Sequence, residues 1–414
     1  MAGPAASVDV LRPRRPIRDT LIALGLMLYD PLCAVLRRLP IIAVSKFAVV
    51  TRNDDVREVL RKSNDFKVIY AANLNIVMDQ QRFLLGLDGE ELSRDIAAIR
   101  LVMTDSDIAT LSTHAAERCA ALLATSNGTL EVVDLCGQVS LDVFCKYLGV
   151  TNPPGQNLRV TAMRLFEFVV FDVFNDADLR AEAQNLASTL RDHIDSLIAE
   201  RKAGAAVAID DVLGRCLTRQ KAGETWFTDI QIRTLLVGLV FASLPQLSMA
   251  AAQILEQLFR RPAELAAAQA LARNNDPHLT GYVFEAFRFD PLAPALTRQA
   301  ESDQVIAAGT HRKTTIKAGS RVVAGLRSAM KDPRRLAEPE VFDPSRAWGE
   351  YMLFGDGPHA CLAEQIDRAL IPLLLGELLK QSEMKRAPGP QGRLLMRGFF
   401  PDRLSITFRS TARP

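Results

Sequence analysis

Residues Tyr351 to Leu375, YMLFGDGPHACLAEQIDRALIPLLL, constrain the chain more than any other stretch: a glycine turn delivers one cysteine to the mouth of an apolar helix. Gly355, Asp356, Gly357 and Pro358 build the turn, where glycine lets backbone approach closely. After Cys361, the residues Leu362, Ile366, Leu370 and Leu374 recur at helical spacing and bury one face. A helix N-terminus carries partial positive charge, so a thiol there is expected to favour its thiolate form. Zinc and iron–sulfur sites ask for several ligands together, and only His359 lies near. A single soft anionic ligand on a rigid pedestal suits a heme iron, with His359 beside the macrocycle edge, where a donor meets a propionate.

At these residues the chain resembles the cytochrome P450 family, whose cysteine loop has the form FxxGxxxCxG with a basic residue two before the cysteine. Phe354, Gly357, His359 and Cys361 hold those places, and Ala363 stands where the family most often has Gly. The substitution is mild, because Ala still allows close packing of helix on heme. The resemblance implies a mainly α fold with a minor β lobe, and heme b (iron protoporphyrin IX) held by Cys361 with Phe354 and Gly355 against it.

Composition sets the frame. A chain of 414 residues with 48% hydrophobic and 24% charged residues has ample core. The net charge of +2 gives no reason to expect nucleic acid. Six cysteines fall at 33, 119, 136, 145, 216 and 361 without metal or disulfide spacing, which suits a reducing cytoplasm. Since no run of 18 apolar residues occurs, no spanning helix is expected. Arg12, Arg14, Arg15 and Arg18 precede Thr20 to Tyr29, TLIALGLMLY, and the apolar run ends at Asp30-Pro31 without a cleavage signature. Three readings stay open: a helix docked on the fold, peripheral membrane contact through residues 20–39, and a targeting signal. Residues 1–39 read as an extension and 40–414 as a single heme-thiolate domain.

From Ile41 to Phe66 the pattern gives two short strands and a helix starting near Asn53. Residues 70–85 lack periodicity and read as a long loop. The resemblance makes it the variable loop over the substrate cavity, lined by Ile76, Val77, Met78 and Phe83. On the helix from Asp88 to Val102 the family usually carries a His and an Arg that bind heme propionates; Leu92 and Ile96 hold those places, which leaves Arg94 or Arg100 as candidates. Leu158 to Phe174 reads as an aromatic-rich helix whose stripe of Phe166, Phe168, Phe171 and Phe174 suits either core or pocket; the resemblance makes it part of the lid over the cavity, with Phe171 a candidate pocket residue.

Thr228 to Arg260 reads as one long apolar helix, and the resemblance implies that it crosses the distal face of the heme, with Leu239 toward the pocket. The family's A-G-x-(D/E)-T aligns with Ala242, Ser243, Leu244, Pro245 and Gln246, so the acid–alcohol pair is missing. Splitting bound dioxygen requires delivered protons, and a glutamine amide donates a hydrogen bond without giving up a proton. Pro245 lacks an N–H, leaves the Phe241 carbonyl without its helical partner and bends the helix. Ser243 is the candidate for the missing hydroxyl.

Glu285 and Arg288 share a helical face at i, i+3, and Arg346 in FDPSRAW joins them in a buried structural triad. Arg298 matches the family's propionate-binding arginine, and Pro294, Ala295 and Leu296 would face substrate. The terminal RGFFPDRLSITF reads as a hairpin with Phe399 and Phe400 near its tip. The leading functional expectation is a monooxygenase acting on a hydrophobic small molecule, with electrons from a separate ferredoxin and ferredoxin reductase. The alternatives are an enzyme using peroxide or lipid hydroperoxide, and a non-catalytic heme- or ligand-binding protein.

Overall fold

The computed structural model describes residues 16–204 and 209–409, so Arg12, Arg14 and Arg15 lie outside the described residues. Helical periodicity in the N-terminal third produces α1 (Pro16–Leu36), α2 (Asn53–Arg61), α3 (Ala71–Val77), α4 (Gly89–Arg100) and α5 (Asp107–Ala124). The body continues through α6 (Val132–Leu148), α7 (Leu158–Phe166), α8 (Ala177–Ala203), α9 (Val212–Lys221), α10 (Asp229–Ser243) and α11 (Gln246–Phe259). It closes with α12 (Pro262–Arg273), α13 (Leu279–Phe289), the single turn α14 (Leu326–Ala329) and α15 (Glu364–Leu379).

Helices α10 and α11 are apolar nearly all round and therefore run through the middle, a pattern that only full burial satisfies. Helix α11 packs against α6, α13 and α15, and α15 lies along α5. Helix α6 ends where Gly149 turns left-handed at φ 72°, and its N–H reaches the Cys145 carbonyl.

The β lobe joins distant parts of the chain. Strands β1 (Ile42–Val44), β2 (Phe47–Val50) and β3 (Phe66–Val68) share a five-stranded sheet with later segments. A short β4 (Thr129–Glu131) precedes α6, and β5 (Leu296–Ala300), β6 (Gln304–Ile306), β7 (Thr314–Ile316) and β8 (Arg321–Ala324) follow α13. The large sheet has the order β1-β2-β8-β5-β3, and β3 pairs β5 so that Val68 faces Arg298. Near the C-terminus, β9 (Lys385–Arg386) pairs with β12 (Ser405–Thr407), which also pairs β4, and β10 (Leu395–Arg397) forms a hairpin with β11 (Phe400–Arg403).

Three expectations are corrected. Residues 70–85 are no open loop: α3 and a 3-10 turn at Leu84–Gly86 order them, because Leu74, Val77, Met78 and Phe83 all find buried partners. The aromatic segment after Asn157 is α-helical only to Phe166, then widens into a π turn over Glu167–Phe171. The 228–260 stretch is two helices, broken at Leu244-Pro245 where the missing N–H interrupts the ladder. Among the described residues, two helical stretches are long and apolar enough to cross a membrane by length and composition, Ile17–Leu36 and the mostly buried, broken Asp229–Phe259. The first was hidden because Asp30 and Pro31 interrupt the apolar run, yet the helix continues through Pro31.

Candidate functional site

The broken helix pair supplies one wall. Along α10 and α11 the residues that keep accessible surface near the break are Ala242, exposed, with Ser243 and Gln246, half-buried, and Leu239 at 9%. These positions fall at i, i+3, i+4 and i+7, one stripe of an otherwise interior element, so the space they face is internal. No carboxylate stands on that stripe. The Ser243 hydroxyl donates to the Leu239 carbonyl at 2.7 Å, and Ser248 donates to the Pro245 carbonyl at 2.8 Å. Both hydroxyl protons are thus committed to the helix's own backbone. Ser140, a residue outside the sequence-level expectations, donates to the Leu244 carbonyl at 2.9 Å and fixes the break from the α6 side.

The cysteine loop supplies the other wall. Gly355 and Gly357 adopt φ 81° and 76°, conformations strained for other residues, and a Cβ on Gly357 would sit 2.7 Å from the Leu60 carbonyl oxygen. The Cys361 N–H donates to the Phe354 carbonyl at 2.9 Å. Arg57 and Arg61 grip Asp356 from α2, the Arg61 Nε at 2.7 Å, and these anchors went unseen in the sequence because nothing local marks them. Phe354 and Gly355 are half-buried beside the cysteine.

Cys361 keeps accessible surface while protein crowds it on every side, which places its sulfur at an internal cleft. Burial pushes its thiol up to about 12, and the Asp367 carboxylate adds to this while the Ala363 N–H opposes it. The N–H at the helix terminus thus acts against desolvation, in the direction that favours the thiolate. Asp367, on the first turn of α15, is itself raised to about 7 by burial.

Behind the loop, Glu285 and Arg288 are fully buried and form two hydrogen bonds at 2.7 and 2.8 Å. Arg346 joins Glu285 at 3.2 Å, so the three expected members come together. The Tyr351 hydroxyl donates to Glu285 at 3.4 Å and ties the cluster to the start of the cysteine loop. Arg288 also donates to the Met330 carbonyl at 2.9 Å.

A polar corner flanks the cleft. Arg298 is buried on β5, bonded to the Thr297 carbonyl at 3.1 Å, and its Nε has no partner. Burial holds its guanidinium below the ordinary arginine value. His359 shares a hydrogen bond with Asp88 at 3.1 Å, and Lys67 meets the other Asp88 oxygen at 2.9 Å. Burial also lowers His359, opposed by its bond to Asp88. Lys67 and Asp88 were not singled out from the sequence; the pairing of β3 with β5 that brings Lys67 here is long-range. Arg94 and Arg100 do not join this corner. Both are exposed, Arg94 on Asp95 at 3.2 Å, because they project from the outer face of α4 while Leu92, Asp95, Ala98 and Ile99 take the buried one. Ile96, one of the two aligned positions, is half-buried.

Apolar residues roof the space. The Phe83 ring packs on Gly238, where an added Cβ would lie 2.3 Å from it. Val77 and Met78 are buried at 0 and 1% exposure, whereas Ile76, Pro294, Ala295 and Leu296 stay half-buried. Phe171 and Phe399 stack at 4.8 Å, and Phe400 meets both Phe171 and Phe166 edge-on. Phe400 itself is core at 2% exposure. Asn73 donates to the Phe168 carbonyl at 2.8 Å and fastens α3 to the π turn.

Residues 45–399 match the family model for cytochrome P450. The chain belongs to the cytochrome P450 family. Over 130 residues it is 33% identical to a bifunctional dioxygenase (DOX)-epoxy alcohol synthase (EAS) of Pyricularia oryzae, which is 31% of this chain and 11% of that protein. Over 200 residues it is 31% identical to the 20-oxo-5-O-mycaminosyltylactone 23-monooxygenase of Streptomyces fradiae, 48% of this chain and 44% of the relative. The matches thus span less than half the length of these curated relatives. Among solved structures, P450BioI in complex with hexadec-9Z-enoic acid ligated acyl carrier protein has a TM-score of 0.79 at 21% identity, covering 93% of this chain and all of that one. P450 membership makes the protein an oxidoreductase and implies a heme iron. The site fits such a group: an accessible sulfur lies at the cleft, and an orphaned buried Arg298 Nε waits beside it for an anion.

Proposed function

We propose that this P450 binds heme b through Cys361 and oxidises a hydrophobic small molecule using oxygen that arrives already reduced, as an organic hydroperoxide. Residues 40–414 form the heme-thiolate unit, with residues 1–39 as an extension, and the six free cysteines suit a reducing cytoplasm. Arg298 and His359 neutralise the heme carboxylates; the unpartnered Arg298 Nε and the weakly held His359 are the donors left to do so. Glu285, Arg288 and Arg346 clamp the loop that carries Cys361 and touch no reacting atom. When bound, a thiolate-ligated heme supplies O–O bond cleavage, promoted by electron density from sulfur.

The observation that carries the choice of oxidant is the distal stripe. Leu239, Ala242, Ser243 and Gln246 offer no acid, and the Ser243 proton is spent on Leu239. Proton delivery to dioxygen needs a group that releases protons near neutral pH, and a glutamine amide only donates a hydrogen bond. Gln246 therefore orients an oxygen atom, and the Phe241 carbonyl, deprived of its partner by Pro245, accepts a hydroxyl proton. The apolar wall of Phe83, Leu239, Leu296 and Phe399 excludes water. The Pyricularia relative lends support by chemistry: an epoxy alcohol contains the same atoms as an unsaturated hydroperoxide, so forming one from the other needs no external electrons.

One observation favours a second reading, a monooxygenase fed by ferredoxin and its reductase: the Streptomyces relative, aligned over nearly half of this chain, bears a monooxygenase name. The deciding experiment gives the heme-loaded protein a fatty-acid hydroperoxide without reductant, and in parallel NAD(P)H with a ferredoxin, a reductase and a panel of apolar substrates. Rapid hydroperoxide consumption is expected. Inertness to hydroperoxide together with NAD(P)H-driven hydroxylation overturns the first reading for the second. Inertness to both oxidants, with no spin shift on adding any compound, leaves only a binding protein.

A further inference from the structure

Helix α15 carries one carboxyl that the fold leaves without a partner. Among the described residues no hydrogen bond or ion pair reaches the side chain of Asp367, and its backbone N–H is taken by the Ala363 carbonyl at 3.0 Å. Ionisable neighbours are engaged elsewhere. Glu364 accepts from the Trp348 indole at 2.8 Å and lies 3.8 Å from Arg368, whose guanidinium sits over the Trp348 ring at 3.9 Å. On the helices packed against α15, which are α5, α11, α12 and α13, Glu285 is paired with Arg288, Glu256 with Arg260 and Arg386, and Cys119 is a buried thiol. Burial alone therefore moves Asp367 from its ordinary value, with no charge to offset it. Its place on the helix says what it faces. The Ala363 N–H donates to the Cys361 sulfur, and Asp367 follows Ala363 at i+4, about 5.4 Å further along the same face. Ala363 and Asp367 are half-buried, whereas Ile366 and Leu370 beside them are buried. Asp367 thus keeps accessible surface although protein surrounds it, the combination found at Cys361, and its charge is felt at that thiol. Both groups look into one internal space.

We infer that Asp367 lies against the heme on the same side as the sulfur and that its carboxylate opposes reduction of the iron. The face of α15 that carries Ala363 is the one that packs on the bound group, and Asp367 stands one turn along it. In a desolvated site a carboxylate disfavours whichever state holds one more negative charge, and a proton on the carboxylate removes the effect. Asp367, raised to about 7, is neutral well below that pH and ionised above it. Above about pH 7 it takes up one proton when the iron gains one electron, so the charge added is cancelled at the carboxyl oxygen. Such an acid keeps the resting iron oxidised and suits a protein that needs no external electrons. The inference rests on the proposed ligation of heme by Cys361 and stands whichever oxidant is used.

The test is the midpoint reduction potential of the heme-loaded full chain, titrated with dithionite between about pH 5 and about pH 9. Wild type is compared with Asp367→Asn, Asp367→Ala and a control, Glu377→Gln, which removes a carboxylate held by Lys380 at the far end of the same helix. A reduced-CO spectrum with the thiolate band certifies ligation in each. The wild-type potential is expected to fall above about pH 7 by up to about 59 mV for each tenfold fall in proton concentration. Both Asp367 variants should fall less steeply, with Asp367→Asn above wild type at about pH 9 and level with it at about pH 5, and the control should follow wild type. Curves that coincide throughout overturn the inference, and so does an offset that is the same at every pH, which reports altered packing. Failure of both Asp367 variants to take up heme overturns it in favour of a purely structural acid. A wild type without the thiolate band overturns the heme ligation itself, and this inference with it.

Discussion

The two walls of the cleft follow different rules. On the Cys361 side, charged and polar pairs, local and long-range, lock everything in place: Glu285 with Arg288 and Arg346, Asp356 with Arg57 and Arg61, and the Trp348 indole N–H on Glu364 at 2.8 Å. Opposite, α10 and α11 meet at a backbone break, held by apolar packing and by hydroxyls bonded to their own helix. The first wall keeps the P450 pattern almost residue for residue, and the second abandons its acid–alcohol pair. Under the function proposed above, holding a heme and activating dioxygen are separable demands on this fold, with the residues for the first retained and those for the second dispensed with.

The contrast is open to attack from either side. The largest effect is expected from Cys361→Ala, which should abolish the thiolate band in a reduced-CO difference spectrum; an unaltered band removes the basis of the comparison. Next comes Glu285→Gln. It leaves Arg288 and Arg346 as buried cations without a carboxylate and should cost about 3–5 kcal/mol, read as a lowered midpoint in chemical denaturation. On the opposite wall, Gln246→Ala should lower hydroperoxide turnover about tenfold or more and leave the CO spectrum intact, as loss of one orienting hydrogen bond does. An undiminished rate would make that wall a passive lining.

The smallest effect concerns pH. Asp367 is raised to about 7, above its ordinary value of about 3.9, so the folded chain holds its proton more tightly than the unfolded one. Its presence then destabilises the heme-free protein progressively as pH rises from about 4 through about 7. Asp367→Asn should raise the melting temperature at about pH 8 and leave it unchanged at about pH 4, as followed by thermal unfolding of the heme-free chain.

The contrast also explains what could be read from the sequence. Cys361, its glycine turn and the Glu285–Arg288 spacing are local signals, and Pro245 announces the break by the bond it cannot make. Arg346 needed the family's order of motifs to find its partners. Lys67, Asp88, Arg57 and Arg61 were illegible because each acts across a sheet or helix contact made far along the chain. The ordering of residues 70–85 was missed for a related reason: Leu74, Val77 and Met78, at i, i+3 and i+4, make too short a helical pattern to stand out, and tertiary contacts hold them, among them the bond from Arg191 to the Val77 carbonyl at 2.6 Å. Arg94 and Arg100 show the reverse error, charge of the right type on the wrong face of α4.

The stacked pair Phe171 and Phe399 is a joint between two segments more than 200 residues apart in the chain. Opening it separates one stacked contact and the edge contact of Phe171 with Phe400, each worth about 0.5–1.5 kcal/mol beyond simple area. A guest carrying its own ring or alkene can replace the lost partner as it enters, while a saturated one cannot. Under the function proposed above, the joint would rank visitors by rate of admission before any chemistry begins.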